Sequence, residues 1–321
     1  MALPARHQFR RHDDPNSDEP GRPAPARTEP PPASRSAADA EGSGEDAAQE
    51  QRAEVRELSA PKGAVVYGAI HLEGEDELKR GTSALAWSGL AAGLSMGFSF
   101  VVEALLHHAL PDTPWRPLVA KFGYSAGFLI VILGRQQLFT ENTLTVILPL
   151  LRRRDGQTLW SVGRLWTAVL VANLVGAGLF ALAIAWTSVL PSEVRPALSE
   201  LGNHAMQAPF ATTMVRGIFA GWLIALMVWL LPYAETSRVW VIIILTYIVG
   251  LGGFAHVIAG SVETLYLVAT GERTMMDYVL RFLAPSLSGN IVGGVSLVAA
   301  LAHAQFVAAS DEGEQHVAVS G

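Results

Sequence analysis

The chain has 321 residues, half of them hydrophobic and only 16% charged, with a mean hydropathy of +0.30. It contains no cysteine, which excludes disulfides and thiolate chemistry. The formal net charge of −6 is carried largely by the tails and loops, and no nucleic-acid partner is expected.

These averages hide a split. Residues 1–62 are polar, and 9 of the 18 prolines fall at or before Pro61. Such a segment cannot bury enough apolar area to offset its ordering entropy, so it is expected to be a disordered cytoplasmic tail. It has no apolar core of the signal-peptide kind, and its acidic residues argue against a transit peptide. Residues 307–321 read as a second loose tail. A membrane domain, 80–306, lies between them. About 20 apolar residues cross a bilayer core, and six candidate spans follow: 84–109, 118–139, 165–190, 211–231, 239–258 and 284–306. Lys79 and Arg80 precede the first, and Arg152, Arg153, Arg154 and Arg164 fill the loop after the second. Six spans with both termini in the cytoplasm fit this distribution of basic residues. Trp87, Trp160, Trp166, Trp186 and Trp240 lie near span ends, as interfacial anchors do.

Two spans are interrupted where the bilayer's middle falls. Span two ends in Gln-Leu-Phe-Thr-Glu-Asn-Thr (137–143), too polar to continue in lipid. Span five carries Gly250, Gly252, Gly253 and a single histidine, His256. Glycine weakens a helix by about 1 kcal/mol relative to alanine, so the backbone is expected to unwind there. Unwound backbone at membrane depth is tolerated only where protein buries it or where it lines a cavity. Each break precedes a related motif, Ala-Asn-Leu-Val-Gly (172–176) in span three and Gly-Asn-Ile-Val-Gly (289–293) in span six. Thr140 to Asn173 is 33 residues and His256 to Asn290 is 34. Three spans, an odd number, separate each element from its counterpart, so the halves cross in opposite senses. The expected fold is an all-α membrane protein of six transmembrane helices in an inverted 3+3 repeat, with helices two and five broken at the pathway.

With these motifs in this order, the chain resembles the formate/nitrite transporter family across about 80–306. Leu138-Phe139-Thr140 is similar to the family's broken second helix and its Ω-shaped loop, and Gly253-Phe254-Ala255-His256-Val257-Ile258-Ala259 to its fifth. Gly289-Asn290-Ile291-Val292-Gly293-Gly294 resembles the sixth-helix signature, Asn173-Leu174-Val175-Gly176 the third, and Gly217-Ile218-Phe219-Ala220, more weakly, the fourth. The resemblance implies an aquaporin-like fold, a homopentamer with one pore per subunit, and passage of small monovalent anions such as formate and nitrite. It also implies residence in the bacterial inner membrane, among its lipids. The sequence departs from the family at Ala255, where Glu usually precedes the histidine, at Gly260, where Asn usually follows it, and at Gly221, in place of a fourth-helix Asn. It reads as a divergent branch.

The candidate pore residues follow. His256 is an ionisable residue at membrane depth, a functional position by default; the alternative is a buried histidine bonded to a carbonyl. Thr140 either hydrogen-bonds the ring or a passing anion, or caps a half-helix. Two half-helix N-termini would present amides and positive dipole ends to an anion. Phe128, Leu138, Phe139, Ile224, Val249 and Phe254 match or neighbour family positions that narrow the pore, or are ordinary packing. Lys121, one turn from Tyr124, either adds positive potential to an outer vestibule or snorkels to the interface. Asn173 and Asn290 complete the candidates. Arg135 and Glu141 read as an ion pair bracketing the loop. Glu103, His107 and His108 have helical spacing but lack the further ligands a metal needs, so no metal, cofactor or catalytic group is expected. A small anion or its conjugate weak acid is the expected substrate. Three rival readings are a membrane-embedded enzyme using His256, which lacks an evident nucleophile or metal set, a closed-pore scaffold, and a neutral small-solute channel, which lacks the paired Asn-Pro-Ala motifs of aquaporins.

Overall fold

The computed structural model describes residues 63–298 and 300–301. The tails expected at 1–62 and 307–321 lie outside the described residues. All regular structure among the described residues is helical. α1 (Gly63–Lys79) occupies a stretch to which hydropathy assigns no element. α2 (Thr82–Ala109), α3 (Arg116–Leu133, with a 3-10 turn at Lys121–Tyr124), α6 (Gly156–Trp186) and α8 (Phe210–Leu230) belong to the four helical stretches long and apolar enough to cross a membrane. α4 (Phe139–Thr145) and α5 (Ile147–Arg153) continue after α3, and α9 (Arg238–Leu251) and α10 (Val257–Ala269) are short apolar helices. α7 (Arg195–Ala205) lies between α6 and α8, and α11 (275–298) contains a π-helical segment at Tyr278–Leu283.

Helix limits differ from the hydropathy windows for local reasons. The second span stops at Leu133, not 139, because Gly134 and a left-handed Arg135 (φ 48°) end it. The fifth stops at Leu251, one residue past the first glycine of the run, and Gly253 (φ 60°) makes the equivalent turn. Both ends bond alike. The Gln136 amide donates to the Val131 carbonyl at 2.9 Å and the Phe254 amide to the Val249 carbonyl at 3.0 Å, closing each helix with a Schellman turn. The third span begins early, at Gly156, because Asp155 caps it. Thr158 donates to its carboxylate from N and Oγ1, both at 2.8 Å, and these bonds hold the Asp155 carboxyl below its usual range.

Restarting a helix in a dry interior leaves amides to satisfy, and a buried asparagine does this at each break. Asn173 Oδ1 accepts from the Phe139 amide at 2.9 Å, while its Nδ2 donates to the carbonyls of Gly89 (2.7 Å) and Gln137 (2.9 Å). Asn290 Oδ1 accepts from the Val257 amide at 2.8 Å, while its Nδ2 donates to the carbonyls of Gly217 (2.9 Å) and Ala255 (2.8 Å). Both side chains are fully buried. The backbones must come close for this. A Cβ on Gly93 would sit 2.1 Å from the Asn173 carbonyl oxygen, and one on Gly221 2.3 Å from that of Asn290. Gly221, a departure from the family pattern, is therefore a packing requirement of this chain.

The two asparagines supply the first test. An orphaned buried polar group costs about 1–3 kcal/mol, and Asn290→Ala orphans an amide and two carbonyls. Asn290→Ala and Asn173→Ala are each expected to lower the thermal unfolding midpoint in detergent and the yield of assembled protein. A wild-type midpoint in either variant would show that the side-chain amide does not hold its break.

Candidate functional site

The two breaks meet. Leu138 and His256, both extended residues, stand at the N-caps of α4 and α10. Leu138, rather than Thr140, is therefore the positional counterpart of His256. Thr140, in the first turn of α4, reaches across to place its Oγ1 2.8 Å from His256 Nε2. His256 Nδ1 accepts the Ala259 amide at 3.1 Å. An acceptor nitrogen carries no proton, so the ring proton sits on Nε2 and is donated to Thr140. The histidine is thus a neutral side chain that caps its own helix and presents one N–H to the opposite break. Phe128 meets the ring edge-on at a centroid distance of 4.9 Å, and Tyr124 packs on Phe128 at 5.4 Å.

Most of the amides expected to face an anion are already used. Of the first four in α10, Val257 donates to Asn290, Ala259 to His256 Nδ1 and Gly260 to the His256 carbonyl. What the break offers a solute is the oriented dipole of α10 and the Thr140–His256 pair.

A cavity of about 50 Å³ opens against one side of His256, and Lys121, Tyr124, Val249, Phe254, Phe282 and Glu263 are among its walls. Lys121 does not extend to an interface. Its Nζ lies 2.5 Å from the buried Glu103 carboxylate. His107, which shares α2 with Glu103, stands 3.8 Å from Glu200 instead. Leu138, Phe139 and Ile224 are fully buried but do not line this cavity. Phe254 stacks on Phe219 at 5.3 Å. Trp166 is no interfacial anchor. Its indole N–H donates to the Asn142 carbonyl at 3.1 Å, and its ring meets Phe139 at 5.7 Å, so it braces the first break.

A larger cavity, about 690 Å³, lies on the α1 side, with Glu73, Glu77, Arg135, Gln137, Glu141 and Arg238 in its walls. Arg135 and Glu141 both face it, but among the described residues they form no ion pair with each other. Burial pushes the Glu73 carboxyl up, and the charge of Glu77 adds to this.

Sequence reasoning missed Glu263, Phe282, His204 and Arg216, all of which line the smaller cavity. Glu263 was within reach of it, since residues 256, 260 and 263 share one helical face. Phe282 was not. Its ring fills the space beside Gly260, where an added Cβ would stand 2.2 Å from Cζ, and only the π-helical segment of α11 places it there.

A sequence model of the formate/nitrite transporter family matches residues 64–304. The inner membrane protein YfdC of Escherichia coli K12 is 39% identical over 256 residues, covering 79% of this chain and 83% of that protein. The formate channel FocA of Haemophilus influenzae is 25% identical over 239 residues, covering 64% of this chain and 81% of FocA. Among solved structures, a pentameric formate channel with formate bound superposes with a TM-score of 0.62 at 21% identity, covering 70% of this chain and 98% of the channel, which shows a shared fold. The apolar helices, their paired breaks and the match across the whole described bundle lead to one assignment: this chain is an integral membrane protein of the formate/nitrite transporter family.

Proposed function

We propose that this protein carries a small monovalent anion of the formate or nitrite kind, or its conjugate weak acid, through a pore in each subunit of a homopentamer. The observation that carries this reading is the 2.8 Å contact between Thr140 and His256, which joins two helix breaks at one buried point beside a cavity. The matching bonds of Asn173 and Asn290 support an inverted, aquaporin-like arrangement of six crossings, in which α3–α5 and α9–α10 are the broken pair. With both termini in the cytoplasm, as the basic loops favour, the Lys121 cavity opens outward and the α1 cavity inward. The relatives described as a formate channel and as an inner membrane protein agree with the substrate class and the location.

The apolar centre sets the mechanism. A bare charge in a dry constriction costs several kcal/mol after relaxation, whereas the neutral acid costs far less. Lys121 and the α10 dipole draw the anion into the outer vestibule, and Tyr124, Phe128, Val249 and Phe254 narrow the route on that side. Leu138, Phe139 and Ile224 narrow it beyond the histidine. A proton acquired beside His256 lets the solute cross as the acid, and the Nε2–H and the Thr140 hydroxyl give it hydrogen bonds at the driest point. Charging the ring would displace the Ala259 amide from Nδ1, so His256 works as a neutral donor.

Proteoliposome uptake tests the reading with formate, nitrite, acetate, lactate and hydrosulfide. The smallest weak acids are expected to enter, faster when the outside is acidic. His256→Phe is expected to preserve the pentamer but abolish pH-dependent uptake. Wild-type flux through an assembled His256→Phe pentamer would leave the histidine a purely structural residue.

Thr140→Val keeps the side chain's shape and removes the partner of Nε2. Uptake is expected to fall about tenfold, the equivalent of about 1.4 kcal/mol, with the oligomer intact. Unchanged uptake would show that the hydroxyl serves packing alone.

A further inference from the structure

At the outward cavity Lys121 has two carboxyl neighbours that the transport reading does not use. Glu103 on α2 is 2% exposed and holds the Lys121 ammonium at 2.5 Å. Its second carboxylate oxygen, Oε2, has no hydrogen-bond partner. Glu263 on α10 is half-buried, faces the cavity and lies within electrostatic reach of both Lys121 and Glu103. Lys121 therefore has two carboxyl groups in its field. It is committed to Glu103, the one sealed from water.

The remaining neighbours of Glu263 do not supply the missing charge. From α3 the other polar group is the Tyr124 phenol. From α7 comes His204 and from α8 comes Arg216, and neither forms an ion pair with Glu263 among the described residues. From α10 itself comes neutral His256, and from α11 come the apolar Phe282 and Tyr278, whose hydroxyl bonds Ser261 at 3.0 Å. The long α6 packs along α10, but its one ionisable residue, Arg164, sits near its far end, bonded to the Leu78 and Arg80 carbonyls. Among the described residues Glu263 forms no ion pair, although it lines the cavity with Lys121 and His256. Glu263 is thus the carboxyl group of the cavity wall left open to exchange a proton, seven residues along the same helical face from His256.

We propose that Glu263 is the proton-exchanging residue of the outer vestibule, handing its carboxyl proton to an arriving weak-acid anion, while Glu103 and Lys121 set how tightly it holds that proton. This rests on the weak-acid transport reading above. In the step, the Glu263 O–H bond breaks as an O–H bond forms on the anion's oxygen. The resulting carboxylate faces Lys121, and a proton from outside water restores the acid. The substrate class follows. Anions basic enough to take a proton from a carboxylic acid pass, and permanently ionised anions such as chloride and nitrate do not. His256 cannot fill this role, because its one proton is donated to Thr140 and its other nitrogen is occupied.

The test uses the full chain in proteoliposomes, with initial formate uptake measured against external pH and chloride and nitrate as controls. Glu263→Gln is expected to lower uptake at neutral pH at least tenfold and to make the rate follow free formic acid alone. The two flanking residues give opposite signs. Glu103→Gln removes a negative charge and is expected to move the midpoint of the pH profile down. Lys121→Met removes the ammonium and is expected to move it up. A charge within about 4–6 Å shifts a titration by about 1–3 pH units, whereas a merely structural role changes the amount of flux and leaves the midpoint in place. An assembled Glu263→Gln protein with the wild-type profile would overturn the proposal. If Glu263→Gln does not assemble, the flanking pair decides, and midpoints that stay put or move together overturn it equally. Wild-type vesicles that take up no weak acid at any pH would instead overturn the transport reading itself.

Discussion

A broken helix inside a hydrocarbon layer must have its freed amides and carbonyls satisfied by protein, since lipid offers no partner. Here one side-chain amide does this at each break. Asn173 and Asn290 each accept from the first amide of a restarting helix and donate to two carbonyls, one on the chain entering that helix and one on a neighbour. Both functions of a carboxamide are used, which no carboxylate or hydroxyl could reproduce. The neighbour's carbonyl comes within range only because helices cross backbone on backbone at Gly93 and Gly221. The position of His256 follows from this constraint, since the residue before the amide held by Asn290 becomes the N-cap.

The breaks were legible because their chemistry is local. Polar residues at 137–143 and glycines at 250–253 cannot continue a lipid-facing helix, and the two Asn-Φ-Val-Gly motifs (Φ an apolar residue) mark where help arrives. Their exact register was less visible. Leu138 has no capping side chain and so carries no signal that it, rather than Thr140, pairs with His256 in position. Arg135 was read for its charge, whereas its left-handed turn, adopted at a cost of about 1–2 kcal/mol, does what Gly253 does without that cost. Trp166 looked like a belt residue from its place near a span end, because an inward indole bond depends on helix rotation. α1 and α7 were invisible to hydropathy because neither is apolar enough to resemble a span.

The departures from the family pattern acquire a physical reading in this setting. Ala255 contributes only its carbonyl, which accepts from Asn290. At Gly260 there is no room for a larger residue while Phe282 occupies the adjoining space. The side of His256 that faces the cavity is therefore drier than a Glu and an Asn would make it. Removing polar neighbours from a neutral imidazole costs little, because its two nitrogens are already satisfied, Nδ1 by the helix it caps and Nε2 by Thr140.

A drier centre shifts the electrostatic burden outward. If His256 neither carries charge nor has a carboxylate beside it, the energy of an approaching anion must be lowered before it reaches the ring. In this chain Lys121, Glu263, Arg216 and His204 line the cavity beside the ring, and Glu103 pairs with Lys121 behind its wall. An ammonium paired with a carboxylate attracts an anion less than a lone ammonium would, so Lys121 draws an anion only weakly. The group as a whole is a better proton buffer, because each charge in it raises or lowers the cost of ionising the next. If the weak-acid pathway proposed above is right, such a wall in front of a neutral, apolar constriction selects by basicity rather than by charge alone.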